Sequence, residues 1–250
     1  MTLIQTEPKK IYIRVDEQWW QPWANTIAYW KLNWNYNDEM GNFNGTSSHS
    51  WNGWATLPGS SDQYLTVNMT WSWDRYAYKI SNNLWSAIGS TQNDLTFNRW
   101  RYFNSQYSWT SNFEMCHIVW SGSYRVIRAW YWWEFNSWNG WVYLGTWNGG
   151  YNYGWYITTI STSTWHNMIF TYNKTTRVKS YYVDGTLIGT TTSSLDYSTS
   201  TGQNKANIFW CNWSSSLVWW WSNFIIESTA RTATEVSNYY NATKSLYWIN

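Results

Sequence analysis

An all-β, antiparallel architecture is what this sequence predicts, on three observations. Segments with period-two alternation, such as NMIFTY (167–172), recur along the chain. Thr, Tyr and Val, which suit a pleated and half-buried surface, are plentiful, together with the turn formers Ser and Asn. Long amphipathic helix patterns are nearly absent. At 250 residues the chain can bury a real core, as one large β domain or two small ones.

Residues 1–22 read as a lead-in, with a polar start, one short strand KIYIRVDEQ (10–18) and a boundary near Pro22. One domain then occupies 23–250. TIAYWKL (26–32) is a strand, followed by the loop NWNYNDEMGNFNG (33–45). QYLTVNM (63–69) is a strand with Leu65 and Val67 on one face. From Trp71 to Asn112 no pattern is clear. YRVIRAW (124–130) and WVYLGTW (141–147) are strands separated by the turn-like NSWNG (136–140), and WYITTI (155–160) is another. The clearest local signal is HNMIFTYNKTTRVKSYYVDGTLIGTTT (166–192): two alternating runs flank a polar turn, and Asp184-Gly185 then makes a tight turn into a third strand. WSNFIIES (221–228) is a late strand. RTATEVSNYYNATK (231–244) is a short helix in which Thr232 and Glu235 have capping-box spacing.

Composition excludes several function classes. Charged residues are 12% of the chain, the net charge is +2, and no Lys/Arg run concentrates it, which is too little field for a nucleic-acid-binding surface. No stretch approaches ~18 uninterrupted apolar residues, and the start MTLIQTEPKK lacks a signal peptide's apolar core. The expectation is therefore no membrane insertion and no standard export signal. Cys116 and Cys211 are far apart in sequence; they are either a disulfide or, more simply, two buried free thiols. The odd number is 27 Trp against 14 Gly. A turn-rich β protein needs glycine wherever the backbone takes φ > 0, and usage averages about 7%.

The segment TWHNMIFTYNKTTRVKSYYVDGTLIGT (164–190) resembles the central hairpin of laminin-G-like domains of the concanavalin A-like lectin/glucanase superfamily. In that family a Trp-His pair opens a strand, Thr-Tyr ends it, and Tyr-x-Asp-Gly closes the next. Trp165, His166, Thr171, Tyr172, Tyr182, Asp184 and Gly185 hold these positions. LNWNYNDEMGNFNGT (32–46) is similar to the family's first loop through Asp38, Gly41, Asn42, Gly45 and Thr46. NIFWCNW (207–213) and WSNFIIESTARTATEVSNYY (221–240) resemble its closing strand and final helix. The resemblance spans most of 26–240. It implies a jelly-roll β-sandwich of two antiparallel sheets with a short C-terminal helix.

The same comparison bears on the tryptophans. The family usually has glycine at the positions of Trp34 and Trp210, and another glycine falls within Trp219–Trp221. Some bacteria and their phages read UGA as glycine where a standard alternative table reads it as tryptophan. Many of these Trp are accordingly expected to be glycines in the natural protein, with Trp165 kept as genuine because the family has it there. A bulky residue at φ > 0 costs about 1–2 kcal/mol, so several such sites would consume much of a domain's net stability. The lead-in also resembles proteins from such recoded genomes, some of them virion or surface components.

No catalytic residue is assigned. A retaining glycosidase needs two carboxylates about 5–5.5 Å apart, and the laminarinase-like branch sets them on one strand as Glu-x-Asp-x-x-Glu, a run this chain lacks. The closest acidic pairs, Asp16-Glu17 and Asp38-Glu39, are adjacent and diverge on a strand, while Glu114 and Glu134 are isolated. None of His49, His117 and His166 has metal-ligand spacing, and His166 is most simply structural. Calcium is the one conceivable cofactor, with Asp38, Asn42 and the Gly45 carbonyl as oxygen donors; the plainer role for these groups is turn capping. For carbohydrate the best local segment is GTWNGGYNYGW (145–155). Trp147, Tyr151, Tyr153 and Trp155 would stack on sugar faces, and Asn148 and Asn152 would serve hydroxyls; an ordinarily packed Tyr-rich hairpin loop is the alternative.

The function expected is a non-enzymatic, lectin-like carbohydrate-binding or adhesion module. Its partner is a glycan or a cell-surface molecule, met on a virion or extracellular surface. The alternative is a structural virion or surface component whose jelly roll packs on other subunits, and a glycoside hydrolase ranks third.

Overall fold

The computed structural model describes residues 25–32, 35–47, 52–56, 63–68, 75–80, 84, 94–103, 111–114, 117–120, 130–133, 139–144, 156–161, 164–192, 204–212 and 218–247. Its strands in chain order are β1 (Thr26–Trp30), β2 (Gly45–Ser47), β3 (Asn52–Thr56), β4 (Gln63–Asn68), β5 (Arg75–Ile80) and β6 (Leu95–Phe103). There follow β7 (Ser111–Glu114), β8 (His117–Trp120), β9 (Trp130–Trp133), β10 (Asn139–Leu144) and β11 (Tyr156–Ser161). The last are β12 (Thr164–Asn173), β13 (Val178–Val183), β14 (Thr186–Thr192), β15 (Asn204–Asn212) and β16 (Val218–Glu227). Helix α1 (Ala233–Thr243) and a 3-10 turn (Lys244–Tyr247) close the described chain.

The larger sheet runs β14-β13-β12-β6-β16-β4-β3, with β1 also on β16. The second runs β2-β5-β15-β7-β9, with β8 also on β15. β10 and β11 form a two-stranded hairpin of their own. The pairings are antiparallel, and the fold is the expected antiparallel β-sandwich with a short C-terminal helix.

The core is built on β6, β12 and β16. In register, Phe97 stands opposite Phe170 and Ile226, Tyr181 opposite Phe170, and Trp30 opposite Phe224, so these side chains share one face. Trp30 stacks on Phe224 with ring centroids 5.6 Å apart, and Phe97 lies 6.0 Å from Phe170 and 6.5 Å from Phe224. The other face carries Trp100, Trp165, Ile169 and Tyr182, and α1 covers it. Val236 and Tyr239 pack against Ile169 and Tyr182. Tyr247 stacks on Trp100 at 4.0 Å and meets Trp165 at 5.0 Å, while Tyr240 stacks on Trp100 at 5.8 Å. With both faces covered, β12 is buried continuously from Trp165 to Tyr172 instead of alternating.

Several expectations met the structure differently. The stretch 71–112, which shows no pattern, contains β5, the first half of β7 and the central strand β6. β6 is hidden because Asn98, Arg99 and Arg101 are buried in it beside Phe97 and Trp100, so it shows neither an apolar run nor alternation. Asn139 and Gly140, expected in a turn, begin β10. Trp210 pairs with Tyr76 within β15, and Trp219, Trp220 and Trp221 pair with Val67, Thr66 and Leu65 within β16. The described non-glycine residues with positive φ are Leu32, Arg177, Asp184 and Asn223, so left-handed strain attaches to no described tryptophan. The lead-in strand 10–18 and residues 124–129 lie outside the described residues. Cys116 does too; Cys211 stands opposite Phe113 on β7.

Helix α1 begins as its sequence dictates. The Thr232 side chain accepts the Glu235 N–H, and Glu235 Oε2 accepts the Thr232 N–H at 2.8 Å, completing a capping box. Arg231 ties this cap to the sheet. Its Nη2 and Nε donate to the fully buried Glu227 carboxylate at 2.6 and 3.1 Å, and its Nη1 to Glu235 at 3.1 Å. Burial alone would raise the Glu235 carboxyl, but the Thr232 donors and Arg231 outweigh it and hold it below the usual range. A depressed carboxyl contributes stability above the unfolded value and loses it as pH falls through the folded one. Glutamine keeps the reciprocal cap and the side chain is half-exposed, so Glu235→Gln should cost about 0.5 kcal/mol or less near neutral pH, and the gap from the unsubstituted protein should close under acid, as urea unfolding at a series of pH values will show.

Candidate functional site

Trp147, Asn148, Tyr151, Asn152, Tyr153 and Trp155 lie outside the described residues. Their flanks are placed: Leu144 pairs with Tyr156 in a register that continues to Asn139 opposite Ser161, so 145–155 connects the two strands of the β10–β11 hairpin. Trp34 of the first loop and His49 are also outside, as are Asp16, Glu17 and Glu134.

The first loop is organised by one carboxylate. Asp38 is buried, and its Oδ1 accepts the N–H groups of Tyr29 at 2.8 Å and Met40 at 3.1 Å. Its Oδ2 accepts those of Asn42 and Phe43, both at 3.0 Å. The Asp38 N–H donates to Asn44 Oδ1 at 2.9 Å, and Trp30 Nε1 donates to the Phe43 carbonyl at 2.9 Å. Gly41, at φ +79°, supplies the left-handed turn that brings the Asn42 and Phe43 amides round to the carboxylate. Gly45 donates its N–H to the Tyr36 carbonyl at 2.7 Å and enters β2. Of the three calcium candidates, Asp38 thus spends both oxygens on backbone donors, while Asn42 and Gly45 each contribute an N–H to the same loop. Among the described residues no group of three or more His, Cys, Asp or Glu gathers as a metal site.

The hairpin residues meet in a second polar cluster. Asp184 at φ +50° and Gly185 at φ +75° make the two left-handed positions of a type I′ turn between β13 and β14. A Cβ on Gly185 would lie 3.0 Å from Tyr240 Cβ, so glycine is required there for packing as well. Asp184 Oδ2 is 2.5 Å from His166 Nδ1, and its Oδ1 accepts the Asn167 N–H at 2.8 Å. His166 Nε2 lies 2.9 Å from the Ser161 carbonyl and 3.3 Å from its hydroxyl. Trp165 and Tyr182 are buried in the layer beneath α1. The family-matching residues are therefore brought together, His166, Asp184 and Gly185 at the turn and Trp165 and Tyr182 under the helix.

Sequence reasoning did not single out Ser161, Arg99 or Arg101. Ser161 ends a strand and carries no motif; Arg99 and Arg101 are completely buried on β6, on the same face as His166. In the layer under α1, burial pushes the Tyr239 hydroxyl up to about 12 and raises Tyr29 further. The Tyr29 hydroxyl donates to Asn223 Oδ1 at 2.8 Å, and Asn223 Nδ2 donates to the Tyr247 hydroxyl. No described helix is long and apolar enough to cross a membrane.

Comparison of the sequence with protein-family models and with curated proteins finds no match. Solved structures do resemble it. The binding domain of botulinum neurotoxin DC, in complex with SialylT, superposes with a TM-score of 0.58 at 12% identity over 89% of this chain and 52% of that one. The same domain in complex with rat synaptotagmin II gives 0.55 at 11% identity over 84% and 51%. Trypanosoma rangeli sialidase, in complex with 2,3-difluorosialic acid, gives 0.56 at 10% identity over 90% and 34%. The chain spans about half the length of these toxin domains and a third of the sialidase. At such identities the likeness is one of fold, and the fold is shared by binding domains and an enzyme alike.

Asp38 offers a direct test of the loop. Asp38→Asn turns an NH2 group toward two backbone N–H donors and should destabilise the protein by about 2–4 kcal/mol in urea unfolding. Millimolar calcium should leave the midpoint of the unsubstituted protein unchanged, since the carboxylate is already occupied.

Proposed function

We propose that this chain is a lectin-like, non-enzymatic binding or adhesion module that recognises a glycan or another cell-surface partner through residues 145–155. The observation that carries the reading is the antiparallel β-sandwich and its likeness to binding domains solved with SialylT and with synaptotagmin. A segment that joins the two strands of a hairpin outside the ladders of both main sheets is a reasonable place for variable recognition. Tyr151 and Tyr153 stack on sugar faces in this reading, Asn148 and Asn152 serve hydroxyls, and Trp147 and Trp155 extend the platform where they are tryptophan. The laminin-G-like assignment belongs to the same proposal and is supported by the assembled hairpin of Trp165, His166, Tyr182, Asp184 and Gly185.

A glycan array tests it. Saturable binding that falls about tenfold or more in the Tyr151→Ala, Tyr153→Ala double variant, with an unchanged unfolding midpoint, is expected. A featureless array combined with stable self-assembly would replace this reading with that of a structural virion or surface subunit. Glycan hydrolysis that depends on a pair of carboxylates would replace it with the glycosidase.

Recoding of UGA as glycine is part of the proposal, supported by 27 Trp against 14 Gly and by the first-loop position of Trp34. Trp30, Trp100 and Trp165 stand outside it. Each is at most 1% exposed and in ring contact, and glycine there would leave a cavity costing roughly 3–5 kcal/mol. Peptide mass spectrometry on the protein from its natural source should find tryptophan at these three positions. It should find glycine at Trp34, Trp147, Trp210 and within 219–221; tryptophan at all of them would sink the recoding and leave every ring available for binding.

A further inference from the structure

We infer that Glu114 crosses the sandwich to Arg99 and Arg101, in an ion cluster that holds the β7–β9 edge of the second sheet on the first. Both arginines are completely buried. On β6 they alternate with Asn98 and Trp100 and so share the Phe97 face, the one turned away from α1 and toward the second sheet. A guanidinium withdrawn from water is tolerated where a carboxylate and further acceptors meet it. The other carboxylates among the described residues are committed elsewhere. Asp38 serves backbone N–H groups, Glu39 pairs with Lys31, and Asp94 accepts the Lys174 N–H. Asp184 meets His166 and Asn167, while Glu227 and Glu235 hold Arg231. Glu114 is the only acidic residue in the described strands of the second sheet.

Strand register assigns Glu114 to the inward face. Across β5, β15 and β8 one face carries Tyr78, Ile80, Ala206, Ile208 and Ile118, and the other carries Arg75, Lys79, Lys205 and His117. Apolar residues turn to the core, so the first of these faces the large sheet. Asn212 shares that face with Ile208 by period two, Asn112 is its direct partner on β7, and Glu114 stands two residues further along the same face. Facing sheets lie about 10 Å apart, a gap that a glutamate and an arginine extended toward each other fill. The carboxylate offers one oxygen to each guanidinium. The amide oxygens of Asn112 and Asn212 serve N–H groups that a single carboxylate leaves over.

Depth along the strands agrees. Only residues 104–110 separate Phe103 at the end of β6 from Ser111 at the start of β7, so both strands approach the same end of the sandwich. Arg101 and Arg99 stand two and four residues before that end of β6, and Glu114 three residues into β7. Lys179, also buried on the Phe97 face, is remote: it pairs with Tyr172, which pairs with Leu95 at the opposite end of β6. A one-residue slip of β7 would send Glu114 to the outer face, away from both arginines, so the cluster fixes the β7 register. β7 pairs with β9, and β9 contacts β10, the strand that leads into 145–155. The cluster thus positions the edge that carries the segment proposed for recognition.

Urea unfolding tests the cluster without any ligand, so its outcome is separate from that of the binding reading. Glu114→Gln leaves two buried cations facing a neutral amide and should lower the midpoint by about 1 M or more. Arg99→Met and Arg101→Met together should cost a similar shift beside Glu114 and little beside Glu114→Leu, because a cluster replaced whole by apolar side chains leaves no charge alone. Equal losses in the two backgrounds, or a Glu114→Gln midpoint within about 0.2 M of the unsubstituted protein, overturn the proposal. Should these variants not fold, NMR of the unsubstituted protein decides. NOEs from the Glu114 Hγ protons to the Arg99 or Arg101 Hδ protons are expected, and their absence from an assigned spectrum overturns the cluster.

Discussion

Everything in the large sheet depends on β6, β12 and β16 being covered on both faces. One face meets the Phe97, Phe170 and Phe224 layer with Trp30 and Tyr181, and the other meets α1 and the 3-10 turn through Trp100, Trp165, Tyr239 and Tyr247. A sheet with one wet face can be assembled from alternating strands alone. A sheet buried on both sides needs a second element of matching shape, and here that element is eleven residues of helix and one turn of 3-10. This explains the investment in holding the helix: a reciprocal capping box, and an arginine shared between the buried Glu227 and the cap residue Glu235. Glu227 shows the tension in the arrangement. Burial raises its carboxyl while Arg231 pulls it down, so the cost of desolvating the pair offsets much of what its attraction contributes.

What was legible in the sequence follows from the same constraint. The β12–β13–β14 hairpins and their Asp184-Gly185 turn announce themselves through apolar runs broken by turn chemistry, although β12 is itself buried on both faces. The helix does so through Thr232 and Glu235. β6 does not, although it is central. Two-sided burial removes the alternation, and Asn98, Arg99 and Arg101 remove the apolar run that would have replaced it. Its identity is fixed by partners distant in sequence, Thr164–Tyr172 on one side and Trp220–Glu227 on the other, which no local window contains.

The candidate sites divide in the same way. Asp38, Asn42 and Gly45 were visible as oxygen-bearing loop residues, yet composition cannot distinguish a carboxylate aimed at a cation from one aimed at four amides. The difference lies in where Gly41 turns the backbone, and only coordinates express that. The sequence resemblance implies a structural place for His166 at the start of its strand. Its link to Ser161 is not implied, because the acceptor there is a backbone carbonyl, and every residue type has one.

The tryptophans carry the same lesson into function. A count of 27 invites a single explanation, but the rings whose surroundings are described behave as core: Trp30, Trp100 and Trp165 are buried and in ring contact. Trp210 and Trp219–Trp221 occupy extended, paired backbone, where tryptophan and glycine are both sterically permitted. Backbone strain therefore cannot be what separates genuine tryptophan from recoded glycine at those positions. Burial can, because a large side chain enclosed by neighbours cannot be deleted without a cavity, whereas a ring projecting into solvent can. An aromatic binding surface and a set of recoded glycines accordingly draw on the same pool of positions, those outside the core. Whichever of the two the natural protein uses, the sandwich is held by residues that belong to neither.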